Sequence, residues 1–469
     1  YMAFMKYSTR GDLREKFYRL YNGRNIKGEY SNLDILAEIA DTRRQIANLF
    51  GYETYADYAL ERTMAEKKEN VMSLLNQLTE AYIPAQQREF KEIEEFAANL
   101  EGHPVSLNAW DYSYYANKLK EAKYSYNEEE LRPYFELSNV IKGVFGLATK
   151  LYGLQFTENN NIQVYHPDVK AYDVTDSDGK FIGVIYTDFF PRESKRPGAW
   201  MTAFREEYED ESGNQVRPHV TIVMNFTQPT DTKPSLLTPY EVSTFLHEFG
   251  HALHGLLADT KYASLSGTNV YRDFVELPSQ FNENYLRQKE FLDGFATHYI
   301  TGEPIPQTLV DKIAETSQFG AGYACLRQLS FGLTDMAWHT ITAPVTDPVE
   351  FEIKASEKVS MFPTVEGCLF SPQFSHIFSG GYAAGYYSYK WAEVLDADAF
   401  SVFEKNGLFD AETAKSFRDN VLSRGGTEHP MTLYKRFRGQ EPTIDALLKR
   451  DGISPDNTTL PQPVPSKKD

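Results

Sequence analysis

The sequence predicts a mainly helical protein with a small antiparallel β-sheet inserted between two long helical regions. Through the first hundred residues, and again from residue 238 to about residue 450, apolar residues recur every three or four positions, which is typical of amphipathic helices. Between residues 162 and 227 this pattern gives way to alternating β-branched and aromatic residues separated by turn sequences. With 469 residues, the chain is long enough for about two to three domains.

The helical and strand-like segments divide the chain into consecutive regions. We predict a helical region over residues 1–160, a small sheet insertion over 161–235, a helical catalytic region over 236–455 and a proline-rich flexible tail over 456–469.

The first helical region is supported by apolar sets at helical spacing and by a band of aromatic residues. One such set is Leu33, Ile35, Leu36, Ile39 and Ile46. Residues 105–154 contain many aromatic side chains, and we interpret most of them as helix packing, with cleft lining as the alternative for some.

The sheet insertion is predicted from strands near residues 181–186 and 220–224. Turn sequences lie at residues 176–179 and 211–214. The first turn, Asp-Ser-Asp-Gly, has some likeness to a calcium-binding loop but lacks the acidic residue that ends such a loop, so a hairpin turn is preferred.

Composition limits the partners of the protein. The 48 basic and 66 acidic residues give a formal net charge of -18, which argues against nucleic acid or an anionic membrane surface as the main partner. The two cysteines do not form a CxxC pair, and no apolar run approaches the length of a membrane span. We therefore expect a cytoplasmic protein. The chain begins in what reads as helical sequence, so we expect an upstream segment to be missing and keep a periplasmic location as the alternative.

A histidine pair marks the candidate metal site. Thr238 and Glu241 form a capping box that starts a helix, and His247 and His251, four residues apart, project from one face of it. Two imidazoles at this spacing can bind one metal ion. Glu248 lies on the flank, where it can act on a water molecule without occupying a coordination position. The alternative is a surface helix with a fortuitous histidine pair.

A third protein ligand is required because a catalytic zinc ion takes three and leaves the fourth position open. Glu276 is the best candidate, since Pro278 must lie in the first turn of a helix and so places Glu276 near a helix start. Asp273 and Glu276 also have the spacing of a capping pair, and that structural role is the competing interpretation.

Two further residues near this motif have weaker support. His254, one turn beyond His251, is either a packed histidine, which we favour, or a group that supports a metal ligand. Glu283, seven residues after Glu276 on the same helical face, is a weak candidate for such support.

The segment HEFGHALHGLL, followed by SLSGTNVYRDFVELPSQ, resembles the thimet oligopeptidase/neurolysin family of zinc metallopeptidases. The sequence SGTN…RDFVE is more similar to the bacterial peptidyl-dipeptidase (dipeptidyl carboxypeptidase) branch than to the oligopeptidase A branch. The resemblance implies that His247, His251 and Glu276 bind one zinc ion per chain and that Glu248 is the catalytic base.

A second block, FSHIFSGGYAAGYYSYKW at residues 374–391, also resembles this family. Tyr382, Tyr386 and Tyr389 stand at i, i+4 and i+7, which predicts one shared helical face; such a stripe is ordinarily core packing. The resemblance implies that the block faces the zinc across a cleft. It assigns substrate binding to His376, Tyr382, Tyr386 and Tyr389, and assigns His376, Tyr386 and Tyr389 a catalytic role in stabilising the tetrahedral intermediate.

The family architecture implied by the resemblance is two helical lobes flanking a deep substrate channel, a zincin-like fold of the neurolysin type. Such a channel would admit only short, unstructured peptides. Family chains extend further at the N-terminal side, so we expect this chain to be truncated there. We expect a monomer.

The expected activity is zinc-dependent hydrolysis of short peptides, with release of dipeptides from the C-terminus. The alternatives are an endo-acting oligopeptidase of the same family and an inactive binding protein that retains the fold. An enzyme that releases dipeptides from the C-terminus needs a cation or an N–H group that binds the substrate's terminal carboxylate. The unranked candidates are Arg192, Lys195, Arg196, Arg272 and Lys390.

Overall fold

The computed structural model describes residues 1–124 and 127–453. The tail predicted for residues 456–469 lies outside the described residues. The chain divides into two compact units, each assembled from separate stretches of sequence. Unit 1 comprises Tyr1–Tyr126, Glu315–Lys390 and Leu448–Asp469, and unit 2 comprises Asn127–Ala314 and Trp391–Leu447.

Helices are the most abundant secondary structure in both units. In chain order the α-helices of the described residues are α1 (Met2–Tyr7), α2 (Gly11–Asn22), α3 (Leu33–Leu49), α4 (Tyr55–Ala59), α5 (Lys68–Glu101), α6 (Tyr112–Tyr124), α7 (Leu137–Tyr152), α8 (Pro239–Leu256), α9 (Arg272–Val275), α10 (Leu277–Glu283), α11 (Lys289–Leu292), α12 (Gln307–Ser317), α13 (Ala321–His339), α14 (Pro348–Ser356), α15 (Ser375–Phe378), α16 (Ser388–Asn406), α17 (Ala411–Phe417), α18 (Pro430–Arg438) and α19 (Asp445–Arg450). No helix in these ranges has the length and apolar character needed to span a bilayer.

All strands found in residues 1–124 and 127–453 lie in unit 2. They are β1 (Gln155–Glu158), β2 (Lys170–Thr175), β3 (Phe181–Asp188), β4 (Trp200–Arg205), β5 (Tyr208–Glu209), β6 (Gln215–Val216) and β7 (His219–Val223). Five of them form a sheet in the order β1-β2-β3-β7-β4, and β5 pairs with β6 separately.

The five-stranded sheet is mixed, so the prediction of a wholly antiparallel sheet was wrong in this respect. Strands β3 and β7 pair in parallel, from Val184 opposite His219 to Asp188 opposite Val223, and the other pairings are antiparallel. Alternating residues predict strands but not their neighbours. The stretch between β3 and β7 holds three strands and is long enough to return the chain in the same direction, as a parallel pair requires.

Unit 2 is organised around α8, which packs against β7, β4 and β3 on one side and against α10 on another. Its apolar face is fully buried, with Phe245, Leu246, Phe249 and Leu253 each at most 1% exposed. Burial of this face fixes the rotation of the helix about its axis, and with it the direction of the polar side chains between these residues.

Unit 1 is built on the pairing of the long helix α5 with α13. A second core of this unit contains Leu36 and Ala40 of α3, Trp338 of α13, and Phe374 and Ile377 beside and within α15. This core holds the segment that carries His376 and the three tyrosines against α3 and α13.

Candidate active site

Helix α8 has a fully formed N-terminal cap. The Glu241 N–H donates to Thr238 Oγ1 at 3.1 Å, and the Thr238 N–H donates to Glu241 Oε2 at 2.8 Å. The Thr227 N–H also donates to the Glu241 carboxylate, at 2.6 Å, which ties the helix start to the chain leaving the sheet. The capping box predicted from the sequence is therefore present.

The two motif histidines converge on one carboxylate oxygen. The Nε2 atoms of His247 and His251 lie 3.3 Å and 3.1 Å from Glu276 Oε2, and three candidate ligand atoms lie within 4.8 Å of one another. Ligands about 2.1 Å from a tetrahedral metal ion are about 3.4 Å apart. Two nitrogens and one carboxylate oxygen at these distances fit a zinc ion in both chemistry and spacing.

Glu276 lies where α9 ends and α10 begins. The N-cap of α9 is Tyr271, so Asp273 lies inside that helix and does not form the predicted capping pair with Glu276. The Glu276 side chain makes no cap hydrogen bond to α10 either. Oε2 instead accepts a hydrogen bond from Ser279 Oγ at 2.9 Å. Burial raises the pKa of Glu276, but hydrogen bonds from His247 and His251 outweigh it and hold that pKa well below its usual range. The site therefore contains a carboxylate anion.

Gly250, inside the HEFGH motif, permits the close approach of α8 and α10. A Cβ atom at this position would lie 2.3 Å from the Pro278 carbonyl oxygen and 2.6 Å from Ser279 Cα. No side chain larger than hydrogen fits there without moving one helix. The absence of a side chain at Gly250 thus allows Glu276 to reach the histidines.

Glu283 orients His247. Its Oε1 lies 2.7 Å from His247 Nδ1, and Ser243 Oγ donates to its Oε2 at 3.2 Å. With Nδ1–H donating to Glu283, Nε2 is the atom of His247 that faces Glu276 and that offers its lone pair when a metal ion replaces its proton. A carboxylate in this position fixes the orientation of a metal-binding imidazole and increases its basicity.

Glu248 is buried, with 5% of its surface exposed, and borders an open pocket of about 300 Å³. Burial raises its pKa above the ordinary glutamate value. Ala199, which directly precedes β4, lines the same pocket, so the edge of the sheet begins beside Glu248. The remaining lining residues are Tyr240, Ser243, Thr244, His247 and Glu283.

His254 is a packed histidine, which was the favoured interpretation. It is fully buried with its ring edge against Phe274, at 6.5 Å between centroids, and neither ring nitrogen has a hydrogen-bond partner among the described residues. Burial lowers its pKa to about 3.

The four residues of the second block cluster within unit 1. The ring of His376 lies 5.6–6.5 Å from those of Tyr382, Tyr386 and Tyr389, and Tyr382 stacks on Tyr389 at 5.2 Å. The prediction of one helical face was wrong. Of the three tyrosines only Tyr389 lies in a helix, α16, and residues 383–387 form turns. Ala384 has a φ of +53°, which no α-helix accommodates.

The tyrosine turn, residues 379–387, is stabilised by residues that the sequence analysis did not single out. Asp335 accepts hydrogen bonds from the amides of Ala384 and Tyr386, and His339 donates to Asp335. The only sequence signal was an aspartate and a histidine four residues apart on one helix.

Two of the five cations proposed for a substrate carboxylate are engaged elsewhere. Arg192 and Lys195 both contact the buried carboxylate of Asp188 at 2.9 Å, and Tyr165 donates to it at 2.9 Å. These contacts form a structural ion pair within the sheet region.

Comparison with known proteins places this geometry in a family. The model of peptidase family M3 matches residues 4–453. The chain belongs to peptidase family M3. The members of this family are metallopeptidases that hydrolyse peptides. Its zinc dependence agrees with the two nitrogens and one carboxylate oxygen described above.

Relatives within the M3 family carry two different names. The chain is 41% identical to oligopeptidase A of Escherichia coli (strain K12) over 461 residues, covering 97% of this chain and 68% of the relative. It is 38% identical to dipeptidyl carboxypeptidase of Salmonella typhimurium over 448 residues, covering 94% of this chain and 65% of the relative. These identities do not separate the two modes of cleavage.

The M3 fold is also found among solved structures. PZ peptidase A with an inhibitor matches with a TM-score of 0.61 at 14% identity, covering 96% of this chain and 69% of that one. At that identity the likeness concerns the fold, which is of the zincin-like type predicted from the sequence.

Proposed function

We propose that this chain hydrolyses short, unstructured peptides with one zinc ion held by His247, His251 and Glu276. The observation that carries the proposal is the convergence of two histidine Nε2 atoms on Glu276 Oε2, at 3.3 Å and 3.1 Å. A zinc ion bound there would polarise the scissile carbonyl and make a water molecule more acidic.

Glu248 is the proposed general base. It takes a proton from the attacking water and returns it to the departing amine. Its burial supports this role, because a carboxylate with a raised pKa is a stronger base than an exposed one.

The tyrosine turn and Tyr389 supply the proposed hydrogen bonds to the substrate. Burial raises the pKa of Tyr386 to about 12, so its hydroxyl keeps its proton and can donate. That hydroxyl donates to Gln328 Oε1 at 3.1 Å. In catalysis Tyr386 and Tyr389 would donate to the developing oxyanion, with His376 beside them, while Tyr382 contacts the substrate.

Strand β4 is the proposed docking edge for the substrate backbone. It is one of the two outer strands of the five-stranded sheet, pairs only with β7 within that sheet, and follows Ala199 in the pocket beside Glu248. An extended peptide can add to such an edge through main-chain hydrogen bonds. This requirement for an extended chain supports unstructured peptides as substrates.

The finer mode of cleavage that we propose is release of dipeptides from the C-terminus. The sequence RDFVE and the relatives named dipeptidyl carboxypeptidase support this mode of cleavage. The second candidate is endo-cleavage. It is supported by the 41% identity to oligopeptidase A and by the engagement of Arg192 and Lys195 with Asp188.

Mass spectrometry of the products from one peptide, supplied with a free or an amidated C-terminus, distinguishes these modes. Successive loss of dipeptides from the free form alone is expected. Equal cleavage of the amidated form at internal bonds would replace the dipeptidase proposal with endo-cleavage.

The hydrolytic mechanism itself is tested with Glu248→Gln on a quenched fluorescent peptide. We expect one zinc ion per chain in both forms and a fall in kcat of about 10²- to 10⁴-fold in the variant. Absence of stoichiometric zinc, or unchanged turnover in the variant, would contradict this mechanism. Absence of any turnover in the wild-type chain would leave the inactive binding protein as the better description.

A further inference from the structure

The tyrosine turn has a backbone conformation that its own sequence does not favour. Ala384 adopts a left-handed φ of +53°, which is uncommon for any residue other than glycine. Such a conformation persists only where surrounding contacts determine it.

A single buried carboxylate provides those contacts. Asp335, in α13, is fully buried. Its Oδ1 accepts from the Ala384 N–H at 2.9 Å and its Oδ2 accepts from the Tyr386 N–H at 2.8 Å. The two oxygens of the Asp335 carboxylate therefore accept hydrogen bonds from two backbone amides, that of the left-handed residue Ala384 and that of Tyr386.

Asp335 is itself oriented by a histidine and an arginine. His339 Nδ1 lies 2.8 Å from Asp335 Oδ1, and His339 Nε2 lies 2.9 Å from Arg43 Nη1. Arginine has only donors, so Nε2 must accept and Nδ1–H must donate to Asp335. The contacts thus fix the tautomer of His339.

Arg43 also binds the other end of the segment. Its Nη1 donates to the Ile377 carbonyl at 2.6 Å and its Nη2 to the Phe378 carbonyl at 3.4 Å. These carbonyls directly follow His376. The two ends of the segment that carries His376, Tyr382 and Tyr386 are therefore held through one connected set of polar side chains.

We propose that Arg43, His339 and Asp335 form a positioning network that holds the tyrosine turn in the geometry needed for catalysis. The inference rests on the proposed function, since it matters for the reaction only if Tyr386 and Tyr389 donate to the oxyanion. None of the three is a catalytic residue. They act through the backbone that directs the tyrosine rings, and an error of about 1 Å in such positioning costs about 10²-fold in rate.

A purely structural role is the competing explanation, and the chain contains a matched control for it. Glu352, 8% exposed and in the same unit, accepts hydrogen bonds from the amides of Phe370 at 2.6 Å and Ser371 at 2.8 Å. It binds two backbone amides as Asp335 does, but outside the tyrosine turn. Glu352→Gln should therefore reproduce the stability loss of Asp335→Asn without its effect on catalysis.

The experiment compares Asp335→Asn, Glu352→Gln, Tyr386→Phe and Tyr389→Phe at a temperature where circular dichroism finds each fully folded. For Asp335→Asn we expect a fall in kcat of about 10- to 100-fold, a KM within about threefold of wild type, and equally weakened binding of a phosphinic peptide that mimics the tetrahedral intermediate. Hydrogen exchange at the Ala384 and Tyr386 amides should accelerate, with zinc content unchanged. Glu352→Gln should keep kcat within about twofold.

The possible failures are distinguishable. Unchanged kcat in both Tyr386→Phe and Tyr389→Phe would overturn the proposed function of the turn. A loss of kcat in those variants, with Asp335→Asn behaving like Glu352→Gln, would overturn the positioning network alone.

Arg43→Met provides a second route if Asp335→Asn does not fold, because Arg43 is only partly buried. This variant releases the Ile377 end while Asp335 keeps its two amides. A smaller loss of kcat is expected, about 3- to 10-fold. A kcat within twofold of wild type would contradict the network.

Discussion

Substitution of Gly250 by alanine tests how the candidate metal site is assembled. The new Cβ atom would lie 2.3 Å from the Pro278 carbonyl oxygen and 2.6 Å from Ser279 Cα. Carbon–oxygen contacts in proteins are ordinarily no shorter than about 3.3 Å. Because both clashing groups are backbone atoms, no side-chain rotation relieves the overlap. We therefore expect α10 to move from α8 by about 1 Å.

The displacement acts directly on a proposed metal ligand. Glu276 immediately precedes α10, and its Oε2 now lies 3.1–3.3 Å from the two histidine nitrogens. A shift of about 1 Å exceeds the tolerance of about 0.2 Å in metal–ligand distances. We expect zinc affinity to fall about 10- to 100-fold, the range found when the supporting structure of a metal site is disturbed.

The effect on stability combines two opposing contributions. Alanine in a helix interior is favoured over glycine by about 1 kcal/mol, whereas overpacking costs about 1–3 kcal/mol. The contacts with backbone atoms cannot be relieved by side-chain motion, so the cost should lie in the upper part of that range, about 2–3 kcal/mol. The expected net loss in the free energy of unfolding is then about 1–2 kcal/mol.

Zinc affinity is measured by competition with a chromophoric chelator, and stability by urea unfolding of the metal-free protein. Gly146→Ala is the control, since Gly146 lies in α7 of the same unit and a Cβ there meets no atom within 4 Å. That variant should bind zinc normally and gain about 0.5–1 kcal/mol. Wild-type zinc affinity together with increased stability in Gly250→Ala would refute the reasoning.

Three further predictions concern the same unit. Glu283→Ala removes the carboxylate that lies 2.7 Å from His247 Nδ1 and should weaken zinc binding about 10- to 100-fold. The control Ser243→Ala removes only the hydroxyl that donates to Glu283 and should change zinc affinity by less than about threefold. Equal effects of the two variants in chelator competition would argue against orientation of His247 by Glu283. The pKa of His254 in the folded protein is about 3, well below that of an unfolded histidine, so in the metal-free protein the unfolded chain binds a proton more readily. The contribution of neutral His254 to stability is therefore complete above about pH 6.5 and is lost as the pH falls towards 3. His254→Leu should therefore reduce the slope of unfolding free energy against pH by about 1.4 kcal/mol per unit between pH 4 and 6, and an unchanged slope in urea titrations would contradict the burial argument. Removal of zinc by a chelator should abolish hydrolysis and lower the melting temperature, and zinc at about 1,000 times its Kd should restore about 4 kcal/mol, measured by calorimetry with and without metal.

Local sequence patterns were sufficient to predict helix α8 and the two histidines that it presents on one face. A capping box and two histidines four residues apart fix a helix start and a shared face, because both depend only on backbone geometry within one element. The structure has the cap as predicted and brings Glu276 to both histidines. Which strands pair in parallel was not predictable, since residue alternation is the same in either case.

The sequence by itself determined the helical class and the family, and it indicated the residues of the candidate metal site, since these follow from periodicity and from motifs within short stretches. Tertiary structure decided what those motifs contact. The approach of α10 at Gly250 and the contact of Glu283 with His247 depend on packing between elements. The turn at Ala384 depends on Asp335, which lies 49 residues away in the chain. A helical spacing of tyrosines could not predict that turn, because a buried carboxylate from another helix competes for the amides that an α-helix would use.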